Sequence, residues 1–324
     1  MRQLKTLIVR RAVFDMGSGQ LKLVVADVDL QNRSIAKVLL SIDEKVFLME
    51  DLQREGTGHF SQQAVAELTA TMGRFKAQAD AFHPAEYIVV ATEAYRKALN
   101  GNEILSQLAQ ELSLPIRLIS QHEEAHLGLL AAAHTSGIPL DRLLVWDIGG
   151  GSFQLTRLHQ GTLQTYLGTL GRVTAKTLML VHIQKKPVTS HASPNPVSPA
   201  DLQAATSALI SQLTPSPPWL QEALTHPDTI LVGIGAQHPQ ITRLISRPTY
   251  TTSDVASLLS RYTSLPDSQI DPDPLYASFT VTGLHLVHTI MSHLAIPQVL
   301  FSKTLGLTPA LLTCAQTKPH AINP

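Results

Sequence analysis

Twice along this chain an apolar β-type run ends in an aspartate and empties at once into a glycine turn, and each time a second β-type run follows. The first instance reads Val13-Phe14-Asp15-Met16-Gly17-Ser18-Gly19-Gln20, followed by the run Leu21 to Asp29. The second reads Leu143-Leu144-Val145-Trp146-Asp147-Ile148-Gly149-Gly150-Gly151-Ser152, followed by Phe153 to Leu158. Two β runs around a glycine turn predict a hairpin. The runs Ile35 to Ser41 and Thr162 to Leu167 predict a third strand after each. An echo on this scale predicts two similar α/β halves facing one another across a cleft. The 324 residues suit two domains at roughly 150 residues each. The expected division is 1–134 and 135–324, with a C-terminal helix returning to the first domain.

Helix and strand signals fill in the rest. Val65, Leu68, Met72, Phe75 and Ala79 fall three or four apart and predict a helix within Phe60 to Phe82. Tyr87 to Ala91 predicts a buried strand with a helix from Thr92, a further helix reaches about Leu112, and Ile116 to Ile119 is a strand feeding a helix from Gln121 to His134. In the second half, Lys185 to Ala200 is rich in Pro and Ser and predicts an exposed loop. Leu231 to Ala236 predicts a strand ending in a glycine turn, Leu275 to Leu294 a helix, and Gln298 to Phe301 a late strand.

Composition excludes several classes. Lys plus Arg and Asp plus Glu are 25 each, so the formal net charge is zero. That argues against broad binding to nucleic acid or to an anionic membrane. The single cysteine, Cys314, allows neither an intrachain disulfide nor a cysteine metal cluster. No apolar run approaches the roughly 20 residues that span a bilayer. The start, MRQLKTLIVRRAVFD, has only a short apolar patch from Thr6 to Val9, too short for a signal peptide. The expectation is a cytoplasmic protein.

Three stretches carry chemistry. Three consecutive glycines in Asp147-Ile148-Gly149-Gly150-Gly151-Ser152 are costly in backbone entropy unless something must come close to the backbone, and exposed N–H groups there suit phosphate oxygens. Asp147 at the strand end is placed to face a metal ion or its waters; the plain alternative is a tight acidic turn. Next, Ser120-Gln121-His122-Glu123-Glu124-Ala125-His126 opens a helix just after a strand. His122 and His126 spell the H-E-x-x-H zinc pattern, with no third ligand specified. Ser120 and Glu123 fit a capping box, which gives Glu123 a structural task. Glu124 is left over, at the rim where open α/β sheets bind ligands; its alternative is a helix-dipole carboxylate. Finally, Thr92 is read as a helix cap, and Arg96 one turn in as a phosphate clamp or else a solvated surface arginine.

In this order and spacing, the segments Phe14 to Asp29, Ala91 to Asn100, Ile119 to Leu127 and Asp147 to Leu155 resemble the exopolyphosphatase and guanosine pentaphosphate phosphatase family. Leu167 to Ala175 and Leu231 to Ile241 match more weakly. The resemblance implies an α/β fold of two RNase H-like domains around a central cleft, in the superfamily of actin, Hsp70 and sugar kinases, in the short two-domain form. It implies hydrolysis of terminal phosphoanhydride bonds in polyphosphate or guanosine pentaphosphate, with magnesium as cofactor, a stringent-response context and a homodimer. Glu124 then resembles the catalytic base and Arg96 the phosphate-contacting arginine. Asp15, Gly17 and Ser18 resemble the first phosphate loop, and Gly149, Gly150, Gly151 and Ser152 the second, with Asp147 and Gln154 at the metal. The chain departs from the family pattern at Gly19-Gln20, Gln121, His126, Ala236-Gln237 and, above all, Gln154, where a glutamate is usual. Those departures keep open a non-catalytic binder or sensor of the same phosphates; an ATP-dependent kinase of the same superfamily is the third class.

Overall fold

The computed structural model describes residues 7–189 and 192–314. The basic residues at the very start of the chain, and part of the Lys185 to Ala200 segment, lie outside them. The chain forms two compact units: one runs to His134 and resumes at Leu305, and the other spans Thr135–Thr304.

The first unit is built on a five-stranded sheet of β1 (Ile8–Met16), β2 (Gln20–Asp29), β3 (Ser34–Lys45), β4 (Glu86–Ala91) and β5 (Ile116–Leu118), in the order β3-β2-β1-β4-β5. The first three strands form the expected antiparallel meander, and β4 and β5 run parallel to β1. Strand β1 is the centre, so its last six residues are buried on both faces. That explains an apolar run in which Arg11 and Asp15 are the charged exceptions. At the edge, β3 alternates and carries Lys37, Asp43, Glu44 and Lys45, charges that discourage edge-to-edge pairing.

The helix Gln62–Asp80 buries Leu68, Met72, Phe75 and Ala79, as their spacing predicts. Its start is capped by Ser61, whose hydroxyl accepts from the Ala64 N–H at 3.1 Å. The helix Leu48–Glu55 was not predicted. Phe47 at its cap offers no side-chain bond, and beside the buried Asp51 three apolar residues, Leu48, Met49 and Leu52, mark its inner face. After Leu305, the helix Thr308–Thr313 packs on β1 and β2. Arg11, 2 % exposed, fastens it there. Its guanidinium pairs with Glu86 at 2.7 Å and donates to the carbonyls of Leu312 and Cys314 at 2.6 and 3.0 Å.

The second unit repeats the plan. Strands β6 (Leu143–Ile148), β7 (Phe153–His159) and β8 (Thr162–Gly168) form the meander, and β9 (Ile230–Gly235) pairs parallel with β6. With β10 (Thr249–Thr251) and β11 (Gln298–Phe301) the sheet order is β10-β11-β9-β6-β7-β8. Without the antiparallel edge strand β10, order and direction match those of the first sheet, the duplication of α/β halves that the sequence echo implies. The helix Pro274–Leu294 is buried almost along its whole length and forms the core with Trp146, Phe153 and Tyr250. Lys185 to Ala200 is not simply an exposed loop. Val197 enters the core, and Asn195 donates to Asp267 and to the Ala277 carbonyl at 2.8 and 2.9 Å. Pro-rich composition marks the absence of regular structure, not exposure. Among the described residues, no helix is long and apolar enough to cross a membrane.

Two buried histidines make this core pH-sensitive. His238 lies between Trp146 and Tyr250, with its Nδ1 2.6 Å from the Tyr250 hydroxyl. Burial lowers its pKa to about 3. His285 contacts the Thr206 hydroxyl at 2.7 Å, and burial, with His288 beside it, lowers it to about 4. Both folded values lie below the unfolded one, so the unfolded chain takes up these protons first as pH falls. Stability is then complete above about pH 6.5 and declines below it, by on the order of 3 kcal/mol per group by pH 4. Urea unfolding at pH 7, 6 and 5 is expected to show this decline, and His238→Asn and His285→Gln each to flatten it.

Candidate functional site

The first hairpin turns on one backbone bond, from the Gly17 N–H to the Gln20 carbonyl at 3.0 Å. Its Asp15 is 5 % exposed and sits opposite Lys22 in the register. The Lys22 Nζ is 3.7 Å from Asp15 Oδ2, and the Leu307 N–H donates to the same oxygen at 3.2 Å. Gly306, with φ +66°, makes that approach possible. A Cβ there would stand 2.4 Å from both the carboxylate and the ammonium. Burial pushes the nearby Tyr95 phenol well up, and the Asp15 charge adds to the effect.

Ser18 ties the hairpin to the helix Glu93–Lys97 by accepting from the Ala94 N–H at 3.1 Å. Thr92 does not cap this helix with its side chain. Its hydroxyl donates to the Met16 carbonyl at 3.3 Å, because the end of β4 lies beside the end of β1 and that carbonyl is nearer than the helix N–H groups.

That short helix delivers Arg96 to Glu124. Arg96 Nη2 donates to Glu124 Oε2 at 2.8 Å, and Nη1 donates to the Ile119 carbonyl at 2.7 Å. The two side chains are 20 % and 14 % exposed, so Arg96 is no solvated surface arginine. The helix Gln121–Ser136 starts as expected, with the Glu123 N–H donating to Ser120 Oγ at 3.1 Å. The Glu123 carboxylate, however, pairs with Arg117 instead of closing a capping box. An arginine from the preceding strand outcompetes a neutral N–H for a carboxylate. His122 and His126 are both exposed, and among the described residues no three histidine, cysteine or acidic side chains gather around a metal position.

The second hairpin turns on the same bond, Gly149 N–H to the Ser152 carbonyl at 2.9 Å. Asp147 faces Gln154 in the register, and Gln154 Nε2 donates to Asp147 Oδ2 at 3.3 Å. From below, the Arg172 N–H donates to Gly149 O at 3.0 Å and the Val173 N–H to Gly150 O at 2.7 Å. Those bonds use the carbonyl side of the loop, and Gly171 lies so close that a Cβ would meet Gly150 at 2.5 Å. Gly235, with φ +90°, closes the other side, where a Cβ would stand 2.4 Å from the Ile148 carbonyl and 2.5 Å from Asp147 Oδ1.

Magnesium is bound by hard oxygen donors, commonly one or two carboxylates completed by substrate phosphates and water. The Asp147 carboxylate is such a donor; Gln154 turns its Nε2 toward it, so the Gln154 oxygen reaches the same ion only after its side-chain amide rotates. Asp15 fits it less well, because Lys22 and the Leu307 N–H already face its charge.

The sequence model described as the Ppx/GppA phosphatase family matches residues 24–180. Over this segment, a little under half of its length, the chain is similar to that family. The segment holds Arg96, Glu124 and the whole second hairpin. Solved structures agree in fold. A Ppx/GppA family member from Aquifex aeolicus superposes with a TM-score of 0.72 at 18% identity, over 95% of this chain and 97% of that one. An exopolyphosphatase from Cytophaga hutchinsonii gives 0.73 at 17%, over 94% and 96%. A nucleoside triphosphate hydrolase from Neospora caninum gives 0.56 at 11%, over 94% and 92%.

Of the candidate residues, Asp15, Gly17 and Ser18 share one turn with Arg96 and Glu124 in the same unit. Asp147, Gly149, Gly150, Gly151, Ser152 and Gln154 share the other turn. Sequence reasoning missed Lys22, Gly171 and Gly235. Lys22 stands seven residues after Asp15, as Gln154 does after Asp147, so the hairpin register was the signal for it. Gly235→Ala is expected to cost about 2 kcal/mol or more, from the left-handed strain plus the clash. Urea unfolding reads that loss, and a matching loss of phosphate affinity reads the displaced loop.

Proposed function

We propose that this chain hydrolyses terminal phosphoanhydride bonds of polyphosphate or of a guanosine pentaphosphate-type nucleotide in the cytoplasm. The observation that carries the reading is the Arg96–Glu124 pair, largely shielded from solvent inside the family-matched segment. Phosphoryl transfer asks little covalent chemistry of a protein; it needs a positioned water and compensation of charge. Glu124 accepts the proton of the attacking water, and Arg96 fixes the direction of its carboxylate while its remaining N–H groups face the phosphate. In the second unit, backbone N–H groups of the 150–152 stretch receive phosphate oxygens while the Gly149 N–H closes the turn; in the first, Gly17 closes the turn in the same way and Ser18 lies at the phosphate. Asp147 and Gln154 would hold magnesium, which when bound neutralises charge on the phosphate oxygens.

A second reading, a phosphate binder without turnover, is favoured by one observation: the amide of Gln154 stands beside Asp147 where a second carboxylate would bring the ion more charge. Phosphate release from polyphosphate and from guanosine pentaphosphate, with and without magnesium, separates the two readings.

Glu124→Gln is expected to lower turnover by about 10²–10⁴, as loss of a general base does, and to leave phosphate-chain binding in place. Glu123→Gln, which breaks only the Arg117 pair, is the control; a larger loss there than at Glu124 overturns the assignment. Gln154→Glu adds a unit of negative charge next to Asp147. It is expected to lower the magnesium concentration for half-maximal activity, and an unchanged magnesium titration removes position 154 from the metal.

A further inference from the structure

Phe47 is the one exposed phenylalanine among the described residues, at 49 % exposure, and it stands where folding favours another kind of side chain. It precedes the helix Leu48–Glu55 as its N-cap and makes no side-chain bond there. A serine, threonine, aspartate or asparagine in that place would satisfy a helix N–H and stabilise the chain by about 1 kcal/mol. A ring left half in water returns only part of what full burial would give.

Single apolar residues on a surface are ordinary; the setting of this one is not. Its flanks are bonded to the first glycine turn. The Val46 N–H donates to the Gly19 carbonyl at 3.1 Å, and the Met49 N–H donates to the Ser18 carbonyl at 3.3 Å. The backbone of Phe47 therefore lies alongside Ser18 and Gly19. The helix behind it is anchored: Leu48, Met49 and Leu52 are buried, and the buried Asp51 accepts from the Ser61 N–H and hydroxyl at 2.8 and 2.7 Å. A ring on so fixed a base gives up little freedom when a ligand stacks on it.

A ring beside a phosphate turn discriminates between two kinds of ligand. An inorganic phosphate chain is charged throughout and gains nothing from a phenyl face. A nucleotide carries a flat base a short reach from its phosphates, and stacking one base on an aromatic side chain is worth about 1–3 kcal/mol. Purines offer the larger face.

We propose that Phe47 is a base-stacking platform: a purine nucleotide with a phosphate at the Gly17–Ser18 turn lays its base on this ring, which selects a nucleotide over inorganic polyphosphate as the ligand. The inference rests on the reading of that turn as a phosphate contact, and it holds whether or not turnover follows.

Titration calorimetry in magnesium-free buffer tests it with two probes, guanosine 5′-triphosphate and tripolyphosphate, which share three phosphates and differ by the nucleoside. Wild type is expected to bind the nucleotide more tightly. In Phe47→Ala that preference is expected to fall about tenfold, the scale of one stacked base. Phe47→Trp is expected to keep the preference, with its fluorescence quenched by the nucleotide and not by tripolyphosphate. Phe47→Ser separates binding from folding: it supplies the missing cap, so urea unfolding is expected to show equal or greater stability while the preference is lost. A preference that stays within twofold of wild type in the Ala and Ser variants, or a wild type without one, overturns the platform. Phosphate release keeps the two inferences apart. Polyphosphate hydrolysed by a protein that shows no preference for the nucleotide overturns the platform and leaves the hydrolase. Nucleotide bound through Phe47, with no phosphate released from any of these substrates at any magnesium level, overturns the hydrolase and leaves the platform.

Discussion

One backbone hydrogen bond closes each hairpin, Gly17 N–H to Gln20 O and Gly149 N–H to Ser152 O, and the arrangement of both turns follows from it. It fixes the register, so each aspartate faces the residue seven places on. It also leaves the carbonyl just after each aspartate available to the next parallel strand. The Thr92 N–H takes the Met16 carbonyl at 3.1 Å, and the Ala236 N–H takes the Ile148 carbonyl at 3.0 Å. Each turn is therefore locked to the parallel strand beside it in the same way, and whatever follows that strand is delivered to the turn. In the first unit this is the Arg96 helix; in the second it is Gly235, pressed against Asp147.

The duplication is geometric but not electrostatic. Asp15 faces an ammonium and a backbone N–H, so its charge is answered within the protein. Asp147 faces an amide, which supplies a dipole and no charge. A carboxylate whose charge is answered by an ammonium from its own hairpin helps to hold the turn together. The same backbone plan thus sets an ammonium beside one aspartate and an amide beside the other.

Much of this was legible from residue order. The central strands and the long buried helix follow from nearly continuous apolar runs, because β1, β6 and the helix Pro274–Leu294 are buried on most sides, and the one-sided helix Gln62–Asp80 follows from its three-and-four spacing. The helix Leu48–Glu55 was not legible, because it has no capping side chain and three inward apolar residues interrupted by a buried aspartate. Within the sites, residues local to a motif were found, and residues that reach a motif from elsewhere were not. Glu123 looked like the far half of a capping box until the strand before it supplied Arg117. Gly306 meets Asp15 from almost three hundred residues away, a relation that no local pattern encodes.

The bond from Arg11 to the Leu312 carbonyl joins positions 301 residues apart, yet the second unit's two ends lie together, with the Thr135 and Ser302 hydroxyls at 3.4 Å. The second unit is thus an insertion whose entry and exit are neighbours. Closing so long a loop in an unfolded chain carries an entropy cost that grows with its length. Once the inserted unit has folded, that loop is effectively short, and the cost of bringing the last helix to Arg11 has largely been removed. During synthesis the order runs the same way. The inserted unit is complete in sequence while the first still lacks the helix that covers β1 and β2, so the first unit to begin is the last to finish.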